Sequence, residues 1–127
     1  MSTFTTTPLY HGGIADLLRA WSAASTLWLF PEHQAPIHGK NILAALQPIL
    51  STQRLDGRLG YVSCVPYVLQ MMAEEPELLG CLKEMEIVGV GGAALPTELG
   101  DRLVDGGVSL VSRFGSAECG CMIFLPS

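Results

Sequence analysis

A glycine-rich stretch at residues 89–94 is the first place in the sequence where chemistry could occur. It has the sequence GVGGAA and lies between a predicted strand and a predicted helix. Glycines let a ligand approach the backbone closely, and the N-terminus of a helix offers free N–H groups to an anion. The stretch also fits G-x-G-x-x-A, the pattern of dinucleotide-binding proteins. A tight turn without a ligand explains the same residues equally well, so the stretch alone leaves both interpretations open.

A carboxylate near the end of a predicted strand is the second candidate. Glu118 lies in the stretch RFGSAECG at residues 113–120, with glycines on both sides of it. A carboxylate in this place could hold Mg²⁺, because that cation prefers oxygen ligands and is often shared with the phosphates of a substrate. The alternative, which residue type alone favours, is a glutamate on a solvated loop.

The third candidate is a histidine directly before a predicted helix. His11 lies in the stretch TTPLYHGG at residues 6–13, where it could line a pocket or contact an anion. A turn histidine without a ligand is the alternative. His11, His33 and His38 are not spaced as metal ligands, and the four cysteines form no zinc pattern. We therefore expect the cysteines to be buried or half-buried free thiols.

The elements that must position these residues follow from an alternation of helix-like and strand-like apolar patterns. Apolar spacing predicts helices at residues 13–24, 40–50, 66–73, 76–82 and 96–104, and strands at residues 26–30, 60–65, 86–90 and 108–114. Such alternation is typical of an α/β fold with a mainly parallel sheet and crossover helices. Ligands of these sheets bind beyond the carboxyl ends of the strands, which are predicted at residues 31–33, 91–95 and 115–118.

Composition excludes several classes of function. The net charge is −5 and no cluster of basic residues exists, so the sequence predicts no nucleic-acid partner. No apolar run reaches the ~18 residues that a membrane span requires, and the N-terminus lacks the pattern of a secretory signal, so we expect a cytoplasmic protein. Charged residues make up 15%, against about 25% in typical domains, which predicts that part of the surface is covered by something else.

Taken in order, the three candidate segments resemble motifs of the adenylate-forming (AMP-dependent synthetase and ligase) superfamily. The segment TPLYHGG resembles P-L-F-H-x-x-G, VGVGGAALP resembles a G-G-A-x-L stretch after a strand, and RFGSAECG resembles Y-G-x-T-E. The connection from residue 65 to residue 95 is similar to that of the family too. The resemblance covers nearly the whole chain and is nearest to the adenylation domains of enzymes that are similar to nonribosomal peptide synthetases. It implies that residues 1–127 are part of one AMP-binding (adenylation) domain, a fragment of the large N-terminal domain of such an enzyme.

The resemblance implies an activity and a set of site residues. Such enzymes activate a carboxylic acid with MgATP to an acyl-adenylate, and the acyl group then moves to the thiol of coenzyme A or of a carrier phosphopantetheine. By this resemblance His11 is the catalytic residue near the acyl carboxylate, Phe114 stacks near adenine, and Glu118 is the metal ligand. The other residues that it implies to bind the nucleotide or the acyl group are Gly91, Gly92, Ala93, Gly115, Ser116 and Ala117.

The sequence departs from the family pattern in two ways. Ala117 stands where the family has a threonine whose hydroxyl contacts phosphate, so we expect weaker phosphate binding unless Ser116 substitutes. The phosphate loop with its lysine is expected before Thr6, the ribose-binding aspartate after Pro126, and the catalytic lysine in a further domain. We therefore expect the chain to be inactive alone, with the remainder of the adenylating enzyme as its partner.

Two other functions remain open from the residues. One is an NADP-binding module that uses residues 89–94, with Arg113 placed to meet a 2′-phosphate. The other is a truncated, non-catalytic interaction protein that keeps the fold without the chemistry. The acyl substrate is not predicted, since Tyr67, Met71 and Met72 could line a pocket or belong to the core.

Overall fold

A computed structural model describes residues 1–31, 33, 35–56, 59–116 and 120–126 of the chain. The strands among them are β1 (Ser2–Thr5), β2 (Leu27–Leu29), β3 (Leu59–Cys64), β4 (Ile87–Val90), β5 (Leu110–Ser116) and β6 (Gly120–Pro126). The helices are α1 (Ile14–Ser22), α2 (Gly39–Asp56), α3 (Pro66–Glu74), α4 (Pro76–Glu84) and α5 (Thr97–Asp105). A kinked turn at Leu9–Gly13 precedes α1. No helix in these ranges is both long and apolar enough to span a bilayer.

The strands form one sheet in the order β2-β1-β3-β4-β5-β6. Strands β2, β1, β3, β4 and β5 are parallel, and β6 runs antiparallel to β5. The predicted α/β fold with a mainly parallel sheet is therefore confirmed. The carboxyl ends of the five parallel strands meet at one side of the sheet, which we call the carboxyl edge. Beside β1 the strand order reverses direction, and such a switch point is where open α/β sheets bind ligands.

The hydrophobic core lies on the sheet face that α2, α3, α4 and α5 share. Phe4, Val62 and Val88 point into it from β1, β3 and β4, and each is buried. The helices add Ile42, Leu46, Leu69, Met72, Leu78, Leu82, Leu99 and Leu103. Helices α3 and α4 each begin with a proline. Proline is favourable at the first position of a helix, because the backbone N–H that it lacks would have no acceptor within the helix. The core therefore packs these four helices against one face of the sheet and holds the strands whose ends form the carboxyl edge.

Helix α1 covers the opposite face of the sheet and is turned with its apolar side outward. The spacing of Ile14, Leu17, Leu18 and Trp21 predicted the helix; Leu17 is half-buried, and the other three are exposed, with Trp21 at 75%. Asp16 and Ala20 are the buried residues of the helix instead. The usual arrangement buries the apolar stripe. Here the sheet face below α1 carries Thr3, Thr5 and Ser63, so a polar helix face is the complementary one.

Three further details differ from the sequence predictions. Strand β1 lies in residues for which no element was predicted, and β6 was not predicted at all. Helix α2 continues through Pro48 to Asp56 instead of weakening at the proline. Strand β1 has no clear apolar pattern, because it is four residues long and three of them are Ser or Thr. All four residues are nevertheless buried, since β1 lies between β2 and β3 in the sheet, and this pairing cannot be predicted from the local sequence.

Candidate functional site

An open turn follows β4 at the carboxyl edge. The backbone N–H of Gly91 donates to the carbonyl of Cys64 at 3.1 Å, which ties the start of the turn to the end of β3. Gly92 has φ +88, a conformation that glycine adopts without strain. Gly92, Ala93 and Ala94 are exposed. Helix α5 begins only at Thr97, so the turn presents backbone and small side chains to solvent instead of running directly into a helix.

The end of β5 lies against this turn. A Cβ atom on Gly91 would lie 3.0 Å from the carbonyl oxygen of Arg113, so the two backbones approach closely there. Phe114 is 64% exposed and Gly115 is exposed as well. The structure therefore brings Gly91 and its turn next to the segment that bears Phe114 and Gly115. Ser116 is the last residue of β5, while Ala117 and Glu118 lie outside the described residues.

His11 reaches the same edge of the sheet from β1. The chain leaves β1 at Thr6, whose N–H donates to the carbonyl of Ser63 at 3.1 Å, and then enters the kinked turn Leu9–Gly13. The N–H groups of His11 and Gly13 both donate to the carbonyl of Pro8, at 3.0 and 3.1 Å. The His11 side chain is exposed and its ring packs against Tyr10, with 4.8 Å between the ring centroids. Strand β3 separates the strand that leads to His11 from the strand that leads to Gly91.

A buried polar cluster lies beneath the edge, on the α1 face of the sheet. We call Thr5, Asp16, Arg19, Ser63 and Arg113 the Asp16 cluster. The Asp16 carboxylate is 1% exposed and accepts hydrogen bonds from the Thr5 hydroxyl at 2.9 Å, from Arg19 at 2.8 Å and from Arg113 at 3.3 Å. Arg113 also donates to the Ser63 hydroxyl at 2.7 Å. The local signal of this cluster is Asp16 itself, an acidic residue among the apolar residues of α1.

The geometry around Gly89 disfavours the dinucleotide interpretation. Gly89 lies inside β4, and a Cβ atom there would overlap the Tyr61 hydroxyl and lie 3.0 Å from Nε of Arg113. The glycine thus makes room for these two side chains and not for a pyrophosphate. Arg113 is 14% exposed and hydrogen-bonded inside the Asp16 cluster, so it is not placed to meet a 2′-phosphate. In the dinucleotide-binding fingerprint the glycine turn leads directly into a helix, whereas here helix α5 begins only at Thr97.

We predict that Gly89→Ala lowers the free energy of unfolding by about 1–3 kcal/mol, because an added methyl group forces the Tyr61 and Arg113 side chains apart. Urea unfolding followed by circular dichroism measures the change. Gly80→Ala is the matched control, since nothing lies within 4 Å of a Cβ atom there. In helix α4 that substitution should stabilise the chain by roughly 0.5–1 kcal/mol. Equal effects of the two substitutions would contradict the packing described for Gly89.

Cys64 at the end of β3 is an inert thiol. Burial raises the pKa of Cys64 from 9.0 to about 12, and burial is also the main cause that raises the pKa of Cys81. Both are free thiols, as expected for cysteines of a core. A thiolate is the nucleophilic form of cysteine, so the raised pKa argues against a catalytic role for Cys64.

The raised pKa makes the stability of the chain depend on pH in alkaline solution. Because the folded pKa lies above the unfolded one, the contribution of the Cys64 thiol is fully present below pH 9.0 and is lost as the pH rises towards about 12. Between pH 8 and pH 10 we expect the chain to lose about 1.4 kcal/mol more stability than Cys64→Ala. Unfolding curves of both proteins at the two pH values test this. Parallel losses in the two proteins would contradict it.

No group of three or more His, Cys, Asp or Glu side chains that could hold a metal ion occurs among the residues with described placement. The one carboxylate predicted as a metal ligand, Glu118, falls outside them.

Comparisons with known proteins decide the family. No family model matches the chain. A non-ribosomal peptide synthetase from Acremonium egyptiacum is 31% identical over 128 residues, which is 97% of this chain and 11% of that protein. An adenylate-forming reductase from Heterobasidion annosum is 30% identical over 91% of this chain and 10% of that protein. The chain belongs to the adenylate-forming superfamily. It spans about a tenth of the length of these relatives.

Solved structures of adenylate-forming ligases share the fold. The O-succinylbenzoate coenzyme A synthetase from Bacillus subtilis, solved in complex with ATP and a magnesium ion, superposes with a TM-score of 0.72 at 20% identity. The match covers 98% of this chain and 24% of the synthetase. In this adenylate-forming chain, the TPLYHGG and VGVGGAALP motifs and the start of RFGSAECG all lie at the carboxyl edge. The family resemblance inferred from these motifs is confirmed.

Proposed function

We propose that the chain supplies the acyl- and nucleotide-binding part of an adenylation domain. Such a domain activates a carboxylic acid with MgATP to an acyl-adenylate, for transfer to the thiol of coenzyme A or of a carrier phosphopantetheine. The observation that carries the proposal is the open turn at Gly91, Gly92 and Ala93, packed directly against the strand end that bears the exposed Phe114. Small residues and an exposed aromatic side chain therefore lie together at the edge where α/β sheets bind ligands.

Each site residue has a role in this proposal. Phe114, whose side chain is 64% exposed, stacks near adenine in this proposal, because a base that covers an aromatic ring gains free energy. The glycine turn and Gly115 leave room for the adenylate. His11 lies near the acyl carboxylate, where an imidazole can contact a negative charge. The transfer of an adenylyl group depends on positioning and on charge neutralisation more than on covalent help from the protein.

The roles of Ser116, Ala117 and Glu118 rest on the family resemblance alone. Ala117 has no hydroxyl for a phosphate, and Ser116 is the residue nearest in sequence that could provide one. Glu118 would offer an oxygen ligand to Mg²⁺, which neutralises phosphate charge when bound.

The exposed apolar side of α1 supports the remainder of the adenylating enzyme as a partner. Ile14, Leu18 and Trp21 form this side, and they are large apolar residues that water contacts unfavourably.

We place the protein in the cytoplasm, where ATP and coenzyme A are available, and we propose no nucleic-acid partner because the chain carries a net charge of −5.

Ligand binding by the purified chain tests the proposal against the dinucleotide alternative. In equilibrium dialysis we expect AMP to bind with a dissociation constant of about 1 mM, which corresponds to a binding free energy of about −4 kcal/mol. NADPH should bind no more tightly than AMP, because Arg113 is held by Asp16. Binding of NADPH well above that of AMP would favour the dinucleotide module instead, and no binding of AMP at 10 mM, roughly ten times that dissociation constant, would contradict the proposed function.

Catalysis by the chain alone is expected to be absent. No lysine of a phosphate loop is among the motifs matched here, and such a residue cradles the phosphates in the transition state. We predict no exchange of labelled pyrophosphate into ATP above the rate of a sample without protein, with any carboxylic acid. Robust exchange by the purified chain would refute this expectation.

A further inference from the structure

Two of the segments at the carboxyl edge are joined below it by one carboxylate. Asp16 is in the first turn of α1, five residues after His11, and its carboxylate is buried. Burial of an unpaired carboxylate is costly, so the hydrogen bonds from Thr5, Arg19 and Arg113 are what permit it. The same bonds fix where the three donors can lie.

One arm of the cluster reaches the segment that bears His11. The Thr5 hydroxyl donates to Asp16 at 2.9 Å and accepts from the backbone N–H of Thr7 at 3.1 Å. The Thr5 hydroxyl thus links the backbone at Thr7, where the chain enters the turn, to the Asp16 carboxylate that follows the turn. Inside this loop, a Cβ atom on Gly13 would lie 2.7 Å from the carbonyl oxygen of Pro8, so the turn at Leu9–Gly13 is tightly closed. Its position depends on the two ends.

The other arm reaches the strand that bears Phe114. Arg113 directly precedes Phe114, and its guanidinium donates to Asp16, to the Ser63 hydroxyl and to the carbonyl of Gly89 at 3.3, 2.7 and 3.4 Å. These contacts connect β5 with α1, β3 and β4 at one point. The Arg113 backbone is also the surface against which Gly91 packs. The hydrogen bond between Asp16 and Arg113 joins segments that are 97 residues apart in sequence.

We propose that Asp16 is a positioning residue, which sets the His11 turn relative to the Phe114 strand end. It contacts neither segment's site residue itself and acts through Thr5 and Arg113. Its significance for ligand binding rests on the proposed function, whereas its effect on the two segments does not. A carboxylate suits this role because it can accept hydrogen bonds from two guanidinium groups and a hydroxyl at once. An amide lacks the negative charge that strengthens the bonds from the guanidinium groups.

Amide hydrogen exchange of the ¹⁵N-labelled chain, read by NMR, tests the proposal without a ligand. In Asp16→Asn we expect exchange to rise about tenfold or more at residues 7–13 and 113–116, and to stay within about twofold of the original rate in α4 and α5. Asp101→Asn, which removes the same charge from an exposed position of α5, should leave both segments unchanged. A uniform rise through all elements, or no rise in either segment, would overturn the positioning role.

Thr5→Val keeps the test decisive if Asp16→Asn does not fold. This substitution preserves the shape of the side chain and removes only the hydroxyl between Asp16 and Thr7. The expected result is faster exchange at residues 7–13 with no change at residues 113–116, and any other pattern contradicts the proposal. AMP dialysis separates the two claims: Asp16→Asn should weaken AMP binding about tenfold. If the unsubstituted chain binds no AMP, the proposed function fails while the exchange result still decides the positioning role.

Discussion

Replacement of Asp16 by alanine lowers the free energy of unfolding by about 3–5 kcal/mol, the cost typical of breaking a buried ion pair by removing one partner. The carboxylate is 1% exposed and satisfies Thr5, Arg19 and Arg113 at once. Without it, Arg113 remains a positive charge at 14% exposure beside Tyr61, with no anion among its described partners. Arg19 is more exposed, at 37%, and loses less because water can replace the carboxylate.

Urea unfolding at pH 7 measures this loss, with Asp101→Ala as the matched control. Asp101 is exposed on α5, so its removal should change the free energy of unfolding by no more than about 0.5 kcal/mol. A loss below 1 kcal/mol for Asp16→Ala, roughly the range of ordinary surface substitutions, would mean that the Asp16 cluster does not hold α1 on the sheet.

The second large effect is expected for Phe4→Ala, which should lower the free energy of unfolding by about 3–5 kcal/mol. Phe4 is fully buried in β1, between β2 and β3, and packs in the core that all the helices on that face share. Truncation leaves a cavity in the strand that leads to the His11 turn. Thermal and urea unfolding of the variant measure the loss.

Phe114→Ala provides the control with the same change of side chain. Because Phe114 is 64% exposed, its truncation should cost less than about 1 kcal/mol of stability. It should instead weaken AMP binding by about fivefold to a hundredfold, since base–aromatic stacking contributes about 1–3 kcal/mol per base and about 1.4 kcal/mol is tenfold. Equal stability losses for the two phenylalanines would contradict the burial described here. Unchanged AMP binding in Phe114→Ala would contradict the adenine contact.

The sequence predicted the elements that carry their own start and stop signals. Pro66 and Pro76 mark the first residues of two helices, and the apolar run before Gly91 marks β4, so these elements follow from local chemistry. Strand β1 was not predicted, because Ser2 and the threonines of β1 become strand residues only by pairing with β2 and β3. The direction of the apolar side of α1 was hidden for a related reason. It depends on Thr3, Thr5 and Ser63 below the helix, which come from two different strands.

In the candidate site too, the local motifs could be predicted from the sequence and the long-range contacts could not. The glycine turn at residues 91–93 and the Phe114 segment were predicted from motifs, since each motif is local and follows a strand. The hydrogen bond between Asp16 and Arg113 could not be predicted, because nothing in either local sequence identifies a partner 97 residues away. The position of Arg113 at the end of a strand is compatible with a 2′-phosphate contact, whereas in the structure it is bonded to Asp16 and Ser63. Such long-range pairs depend on the order of the strands in the sheet, which the local sequence does not contain.

An AMP titration of the ¹⁵N-labelled chain, followed residue by residue with NMR, is the most direct test of an adenylate site at the carboxyl edge. We expect the largest chemical-shift changes at Gly91, Gly92, Ala93, Phe114 and Gly115, with a smaller change at His11. Residues of α4 and of the outer side of α1 should not shift, since they lie away from the carboxyl edge. Shifts that concentrate on α1 or spread evenly over the surface, with the residues 91–93 and 114–115 unmoved, would contradict an adenylate site at this edge of the sheet.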